Sequence, residues 1–104
     1  MATPLNLDID RRDDGTTVLV ATGELDLSNV DVFTHALADA VAEKDSGVVA
    51  VDLSRVEYLD SAAINALYGH TDQIQLIANP LLMPVLTISG LADVVPVQPA
   101  GPSS

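Results

Sequence analysis

Two short stretches set a carboxylate beside a hydroxyl: Asp26-Leu27-Ser28 and Asp60-Ser61. Neither makes a hydrolytic centre, because a serine nucleophile needs a base to take its proton and donors to hold an oxyanion. What a serine at the start of a helix does offer is a phosphate acceptor. Free first-turn amides and the helix dipole tolerate the charge of about −1.5 to −2 that phosphorylation adds. Ser61 can equally be an N-cap, a role worth about 0.5 to 2 kcal/mol, and the two roles are compatible. Glu57 and Asp60 are of the types used in acid/base catalysis, but no nucleophile, oxyanion site or metal set accompanies them, so an enzyme is not expected. His35 falls on the polar side of one helical stretch and His70 at the end of another; two histidines do not make a zinc site. Asp10 to Gly15 has the outline of a calcium loop, yet Arg12 holds a ligand position and Ala21 stands where the bidentate Glu belongs. No GxxxxGK[ST], GxGxxG or GxSxG segment occurs, and no cofactor is expected.

Composition narrows the partners. The 104 residues hold 15 Asp+Glu against 4 Lys+Arg, a net charge of −11, with no cysteine and 48% apolar residues. One small domain fits that length. Thiol chemistry and disulfides are excluded. Nucleic acid and anionic lipid need clustered Lys/Arg, and the basic residues are Arg11, Arg12, Lys44 and Arg55 alone, so neither partner is expected. The longest apolar-rich run, Pro80 to Ile88, falls short of the roughly 18 to 20 residues that cross a bilayer, so no direct membrane insertion is expected. The opening MATPLNLDID lacks the basic and apolar regions of a secretory signal, and the expected location is cytoplasmic.

The elements that must position these groups follow from periodicity. Pro4 to Asp10 alternates as a half-buried strand, Asp14-Gly15 marks a hairpin turn, and Thr17 to Thr22 reads as a strand covered on both faces. Phe33, Leu37, Ala40 and Val41 share a helical stripe, which predicts a helix from about Ser28 to Lys44 with Ser28 and Asp31 as a capping box. Gly47 to Leu53 reads as a buried strand and Ser54 to Leu59 as the segment leading off it. A short helix from Ser61 to about His70, a strand over Gln73 to Ala78, a helix within Leu81 to Ile88 and a short edge strand over Val94 to Val97 follow. Residues 98–104 are rich in Pro, Gly and Ser and are expected to be a flexible tail after a domain spanning 1–97.

Strands alternating with helices imply right-handed crossovers and an α/β sheet that is parallel after its first hairpin. Every strand-to-helix loop of such a sheet emerges at its carboxyl edge. The Asp26/Ser28 loop and the Asp60/Ser61 loop are therefore expected side by side, as one acidic, hydroxyl-bearing surface.

GELDLSNV and VDLSRVEYLDSAAINAL resemble the two signature segments of the STAS family, whose small members include bacterial anti-sigma factor antagonists. QIQLIANP with the following apolar helix and SGLADVVPV is similar to that family's closing elements, so the likeness runs from about Val18 to Val97. It implies a mixed, mostly parallel sheet of four to five strands with about three helices on one face. It also implies regulation of transcription by partner switching. Ser61 matches the family's regulatory serine, phosphorylated by a serine kinase that is itself the anti-sigma factor and restored by a phosphatase. Asp26 matches an acidic residue at the partner surface, and Glu24, Ser28 and Asp60 stand beside these two positions. Ala62 and Asn65 lie on the expected exposed side of the second helix. Where relatives follow the serine with Ser or Thr, then Gly, then Leu, this chain has Ala62, Ala63 and Ile64, so a methyl group is expected where a partner's backbone would approach. The likeness extends to a second role: a STAS subunit of a membrane transporter complex, packed on an ATPase without a phosphorylation switch.

Overall fold

The hairpin signal and the alternation on either side of it form the first two strands. The computed structural model describes residues 4–43 and 47–100. In it β1 (Asn6–Arg11) pairs antiparallel with β2 (Thr17–Leu25), Asn6 opposite Thr22 and Arg11 opposite Thr17. The turn between them rests on Gly15 at φ 89° and on Asp14, whose Oδ1 accepts the Thr16 amide at 2.9 Å. Hydrogen bonding by the Thr16 side chain and backbone holds the Asp14 carboxyl below its ordinary value.

Beyond the hairpin come α1 (Val30–Glu43), β3 (Val49–Leu59), α2 (Ser61–Tyr68) and β4 (Ile74–Ala78). A 3-10 turn (Pro80–Leu82) then leads into α3 (Met83–Ile88), α4 (Leu91–Val94) and β5 (Val97–Pro99). The strands lie in sequence order, β1-β2-β3-β4-β5, with every pair after the first parallel. The expected mixed, mostly parallel α/β sheet is therefore present, with four α-helical segments in place of three. The Lys44 end expected for the first helix lies outside the described residues.

Alternation decides where the core sits. Leu19, Ala21 and Leu25 of β2, Val51 and Leu53 of β3 and Leu76 of β4 join Phe33, Leu37, Leu67 and Leu86 of the helices in one buried cluster. Their strand neighbours Val20, Asp52 and Ile77 are not in it, so all the helices pack on one face. Sequential strand order with right-handed crossovers carries each helix to the same side. The reading of Thr17–Thr22 as covered on both faces holds at Val18 and gives way at Val20 and Thr22, which are half-buried, because no helix among the described residues lies on the second face. The apolar run there comes from Val18, which sits in register with Ala50, both 1% exposed.

Two further boundaries differ from expectation. β3 continues through Ser54–Leu59, because register shifts between Val20 and Thr22 and between Gly23 and Glu24 keep it paired with β2, and Gly23 takes φ 104° there. Val94 is not in a strand. Leu91 and Val95 are both buried, four residues apart, and Val95 donates to the Leu91 carbonyl at 3.0 Å, which is helical spacing. The edge strand starts at Val97, opposite Leu76, and takes in Gln98 and Pro99, which had been assigned to the tail. Residues 101–104 of that tail lie outside the described residues.

Thr17 is 2% exposed and its hydroxyl has no hydrogen-bond partner among the described residues. An unpaired buried hydroxyl costs about 1 to 3 kcal/mol, and valine keeps the branched shape without the polar atom. Thr17→Val is therefore expected to raise the unfolding free energy by about 1 kcal/mol in urea denaturation; a decrease would mean that the hydroxyl is bonded in solution.

Candidate functional site

The parallel pairing of β2 with β3 ends with Leu25 beside Leu59, so the loops that follow leave the sheet together. Asp60 joins them. Its backbone amide donates to the Leu25 carbonyl at 3.3 Å, and its Oδ2 accepts the Leu27 amide at 3.1 Å. Its Oδ1 accepts the amides of Ala62 at 3.0 Å and Ala63 at 3.3 Å. Asp60, in an extended conformation at φ −110° and ψ −173°, is thus the N-cap of α2. The N-cap assignment for Ser61 is corrected accordingly. Ser61 is the first helical residue, exposed, and no hydrogen bond ties its hydroxyl to another described residue. The expectation of free amides around it is corrected as well, since Asp60 already holds two of them.

The first loop is a local network. Asp26 Oδ1 accepts both the Ser28 amide and the Ser28 hydroxyl. Asn29 accepts the Asp26 amide through Oδ1 at 2.9 Å and donates through Nδ2 to the Glu24 carbonyl at 2.9 Å. The proposed Ser28–Asp31 capping box is therefore not formed: the Ser28 hydroxyl points to Asp26, which offers a charged acceptor two residues away. Asn29, immediately before α1, is the positioning residue that sequence reading missed. Its signal was its type, since Asn favours the residue before a helix.

The two loops bring Asp26, Ser28, Asp60 and Ser61 to one edge, as expected from the topology. Asn65 is exposed one turn beyond Ser61 and shares its helix face, and Ala62 is half-buried beside it. Ala63 is 0% exposed and belongs to the core, so its methyl group is not on the partner side; the expected obstruction at that position is corrected. Glu24 stands apart. Strand alternation turns it to the helix-free side, where it lines a hollow of about 200 Å³ with Thr22, Gly23, Arg55 and Glu57. Sequence reading also missed the apolar part of this edge. Leu27 is 75% exposed and Tyr58 50%, and Leu81, in the turn after β4, is 69% exposed.

His35 is exposed, and His70 Nδ1 lies 3.4 Å from Gln73 Oε1. Among the described residues no three His, Cys, Asp or Glu side chains are grouped to hold a metal ion. No helix among them is long and apolar enough to cross a membrane. The edge thus presents an exposed hydroxyl at Ser61 beside the carboxylates of Asp26 and Asp60.

Asp60→Ala removes the acceptor of three amides and is expected to cost about 2 kcal/mol, with faster amide hydrogen exchange at Leu27, Ala62 and Ala63. Asp60→Asn keeps one acceptor oxygen, so it should retain the α2 cap, expose only the Leu27 amide and cost about 1 kcal/mol. Equal exchange patterns in the two variants would show that Asp60 does not couple the loops.

The sequence profile of the family described as "Mlab, STAS domain" matches residues 10–96. A comparison with curated protein sequences gives no match. Among solved structures, an anti-sigma factor antagonist from Mycobacterium paratuberculosis is 22% identical, with a TM-score of 0.80 over 91% of this chain and 86% of that one. SpoIIAA in its unphosphorylated form is 18% identical, with a TM-score of 0.72 over 92% of this chain and 89% of that one. A putative anti-sigma factor antagonist from Thermotoga maritima is 20% identical, with a TM-score of 0.70 over 88% and 85%. At these identities the likeness is one of fold.

Proposed function

The chain belongs to the STAS domain family, and from that premise we propose that it is an anti-sigma factor antagonist. It binds an anti-sigma factor through the Asp26–Ser61 edge and is switched by phosphorylation of Ser61. The observation that carries this reading is the placement of Ser61: exposed, first in α2, next to a carboxylate that already spans both loops. The solved neighbours named as anti-sigma factor antagonists support the same role through their shared fold.

The switch follows from electrostatics. Transfer of the γ-phosphoryl group of ATP to Ser61 Oγ forms an ester, and the hydroxyl proton leaves to a base on the kinase. The product carries about −1.5 to −2 charge beside Asp60. Because Asp60 occupies the amides of Ala62 and Ala63, the phosphate reaches those two only by displacing it. The added charge faces outward on the edge that carries Asp60 and Asp26, and a partner that docks on the bare edge is driven off. Ser61 is exposed and outside the core cluster, so the sheet keeps its packing. Hydrolysis by a phosphatase restores the binding form. The kinase supplies the nucleotide site, and Leu27 and Tyr58 supply apolar area beside the charged groups.

Incubation with the cognate kinase and ATP, followed by peptide mass spectrometry, is expected to place one phosphate on Ser61 and none on Ser61→Ala. Phosphate on another serine, or none with a demonstrably active kinase, would overturn the switch. For Asp26, asparagine is the informative substitution, because it keeps the acceptor for the Ser28 amide while removing the charge. Asp26→Asn is expected to weaken the anti-sigma factor by about fivefold in isothermal titration with an unchanged circular dichroism spectrum. Unchanged affinity would remove Asp26 from the interface.

A further inference from the structure

We propose that the helix-free face of the sheet is a second docking surface, fitted to a cationic amphipathic helix of a partner protein that seats an Arg or Lys side chain on Asp52. This goes beyond the proposed switch, which uses the carboxyl edge and the α2 side of the molecule.

Register defines the surface. Asp8, Val20, Asp52, Ile77 and Gln98 lie side by side across the five strands, and Asp10, Val18, Ala50 and Gln75 form the next row. Adjacent strands are about 4.8 Å apart, so Asp52 stands between the half-buried Val20 and Ile77 with an apolar neighbour on each side. Its Oδ1 accepts the Ser54 amide at 2.9 Å, and its second oxygen has no partner among the described residues. A carboxylate flanked by aliphatic side chains suits Arg and Lys, whose stems cover apolar surface while the head group reaches the charge.

Charge selects the class of partner. Alternation turns Asp8, Asp10, Glu24 and Asp52 to this face, and Glu57 lines the hollow at its end, whereas Arg55 is the one cation placed there among the described residues. A second copy of this chain would bring like charges together, as would nucleic acid or anionic lipid. A cationic protein segment is the complement. Shape gives its size. One hollow, of about 200 Å³, opens at the Thr22–Glu24 end, and another, of about 250 Å³, opens at the Thr16, Val48 and Gln75 end. The seven residues from Thr16 to Thr22 span about 20 Å, the length of a helix of about 13 residues. Such a helix, with an apolar stripe over the half-buried Val20 and Ile77 and basic residues on its flanks, would cover this part of the sheet as the chain's own helices cover the other face.

The test is a titration of the full chain at 150 mM salt with a synthetic 14-residue peptide of Leu and Arg in amphipathic helical order, followed by NMR of the backbone amides. A scrambled peptide of the same composition is the control. Amide shifts are expected at Val20, Asp52 and Ile77, with the amphipathic peptide binding at least tenfold more tightly than the scrambled one. Asp52→Asn keeps the Ser54 hydrogen bond and is expected to weaken binding about fivefold; Asp8→Asn, at a fully solvated position, gives a second reading of the same charge effect. Ser61→Asp should bind the peptide as the unaltered chain does, which separates this surface from the switch. Equal affinity for the two peptides, shifts centred on Asp26 and Ser61, or full affinity in both asparagine variants would each overturn the proposal.

Discussion

A single carboxylate, that of Asp60, serves as acceptor for both loops of the candidate site. Parallel strands that end in register deliver two chain segments to one edge, and each segment arrives with amides that no strand or helix partner satisfies. Asp60 Oδ1 takes those of Ala62 and Ala63, and Oδ2 takes that of Leu27. The start of α2 and the entry to α1 are therefore tied by one side chain. Asn29 completes the arrangement from the other side, holding Asp26 and the Glu24 carbonyl through its amide group. With both loops tied, the Ser61 hydroxyl has a defined place beside a charge, and a change in charge at Ser61 acts directly on the group that couples them.

A second constraint is handedness. Strands in sequence order joined by right-handed crossovers put every helix on one side, so the sheet has a packed face and an open one. The packed face takes the alternate residues of all the central strands into one apolar cluster. The open face is left with the other set: half-buried Val20 and Ile77 next to Asp8 and Asp52. Carboxylates thus stand both along the carboxyl edge and across the open face, and the two surfaces meet at Glu24. The hollow at that meeting point lies beside the register shifts of the β2–β3 ladder, where β3 carries the extra residues and Arg55 and Glu57 line it.

Where sequence reading went astray, a competing contact outweighed the signal of residue type. Ser28 has the type and spacing of a cap, but Asp26 lies within reach of its hydroxyl and binds it first. Ser54–Leu59 has the mixed polarity of a loop, yet bulged pairing with β2 keeps it in the sheet. Val94–Val97 has the β-branched content of a strand, while the burial of Leu91 and Val95 four residues apart holds a helical turn there. Ala63 departs from the family pattern in a position that is exposed only in sequence; in the fold it points into the core.

Periodicity, turn residues and the order of elements determined the architecture by themselves, because the hairpin, the helical stripe of Phe33, Leu37 and Ala40, and the β-α-β alternation are local patterns that a short segment carries whole. The same order placed the Asp26 and Asp60 loops on a common edge, since parallel strands leave no other route. Only the tertiary structure decided which group does what on that edge. The capping carboxylate is Asp60 and the exposed hydroxyl is Ser61, because their roles depend on an amide at Leu27, more than thirty residues away in the chain. Only the tertiary structure, likewise, separated the half-buried Val20 from the core that Leu19 and Ala21 enter. Which face of a strand is covered depends on where the helices go, and that is fixed by crossovers the strand itself does not contain.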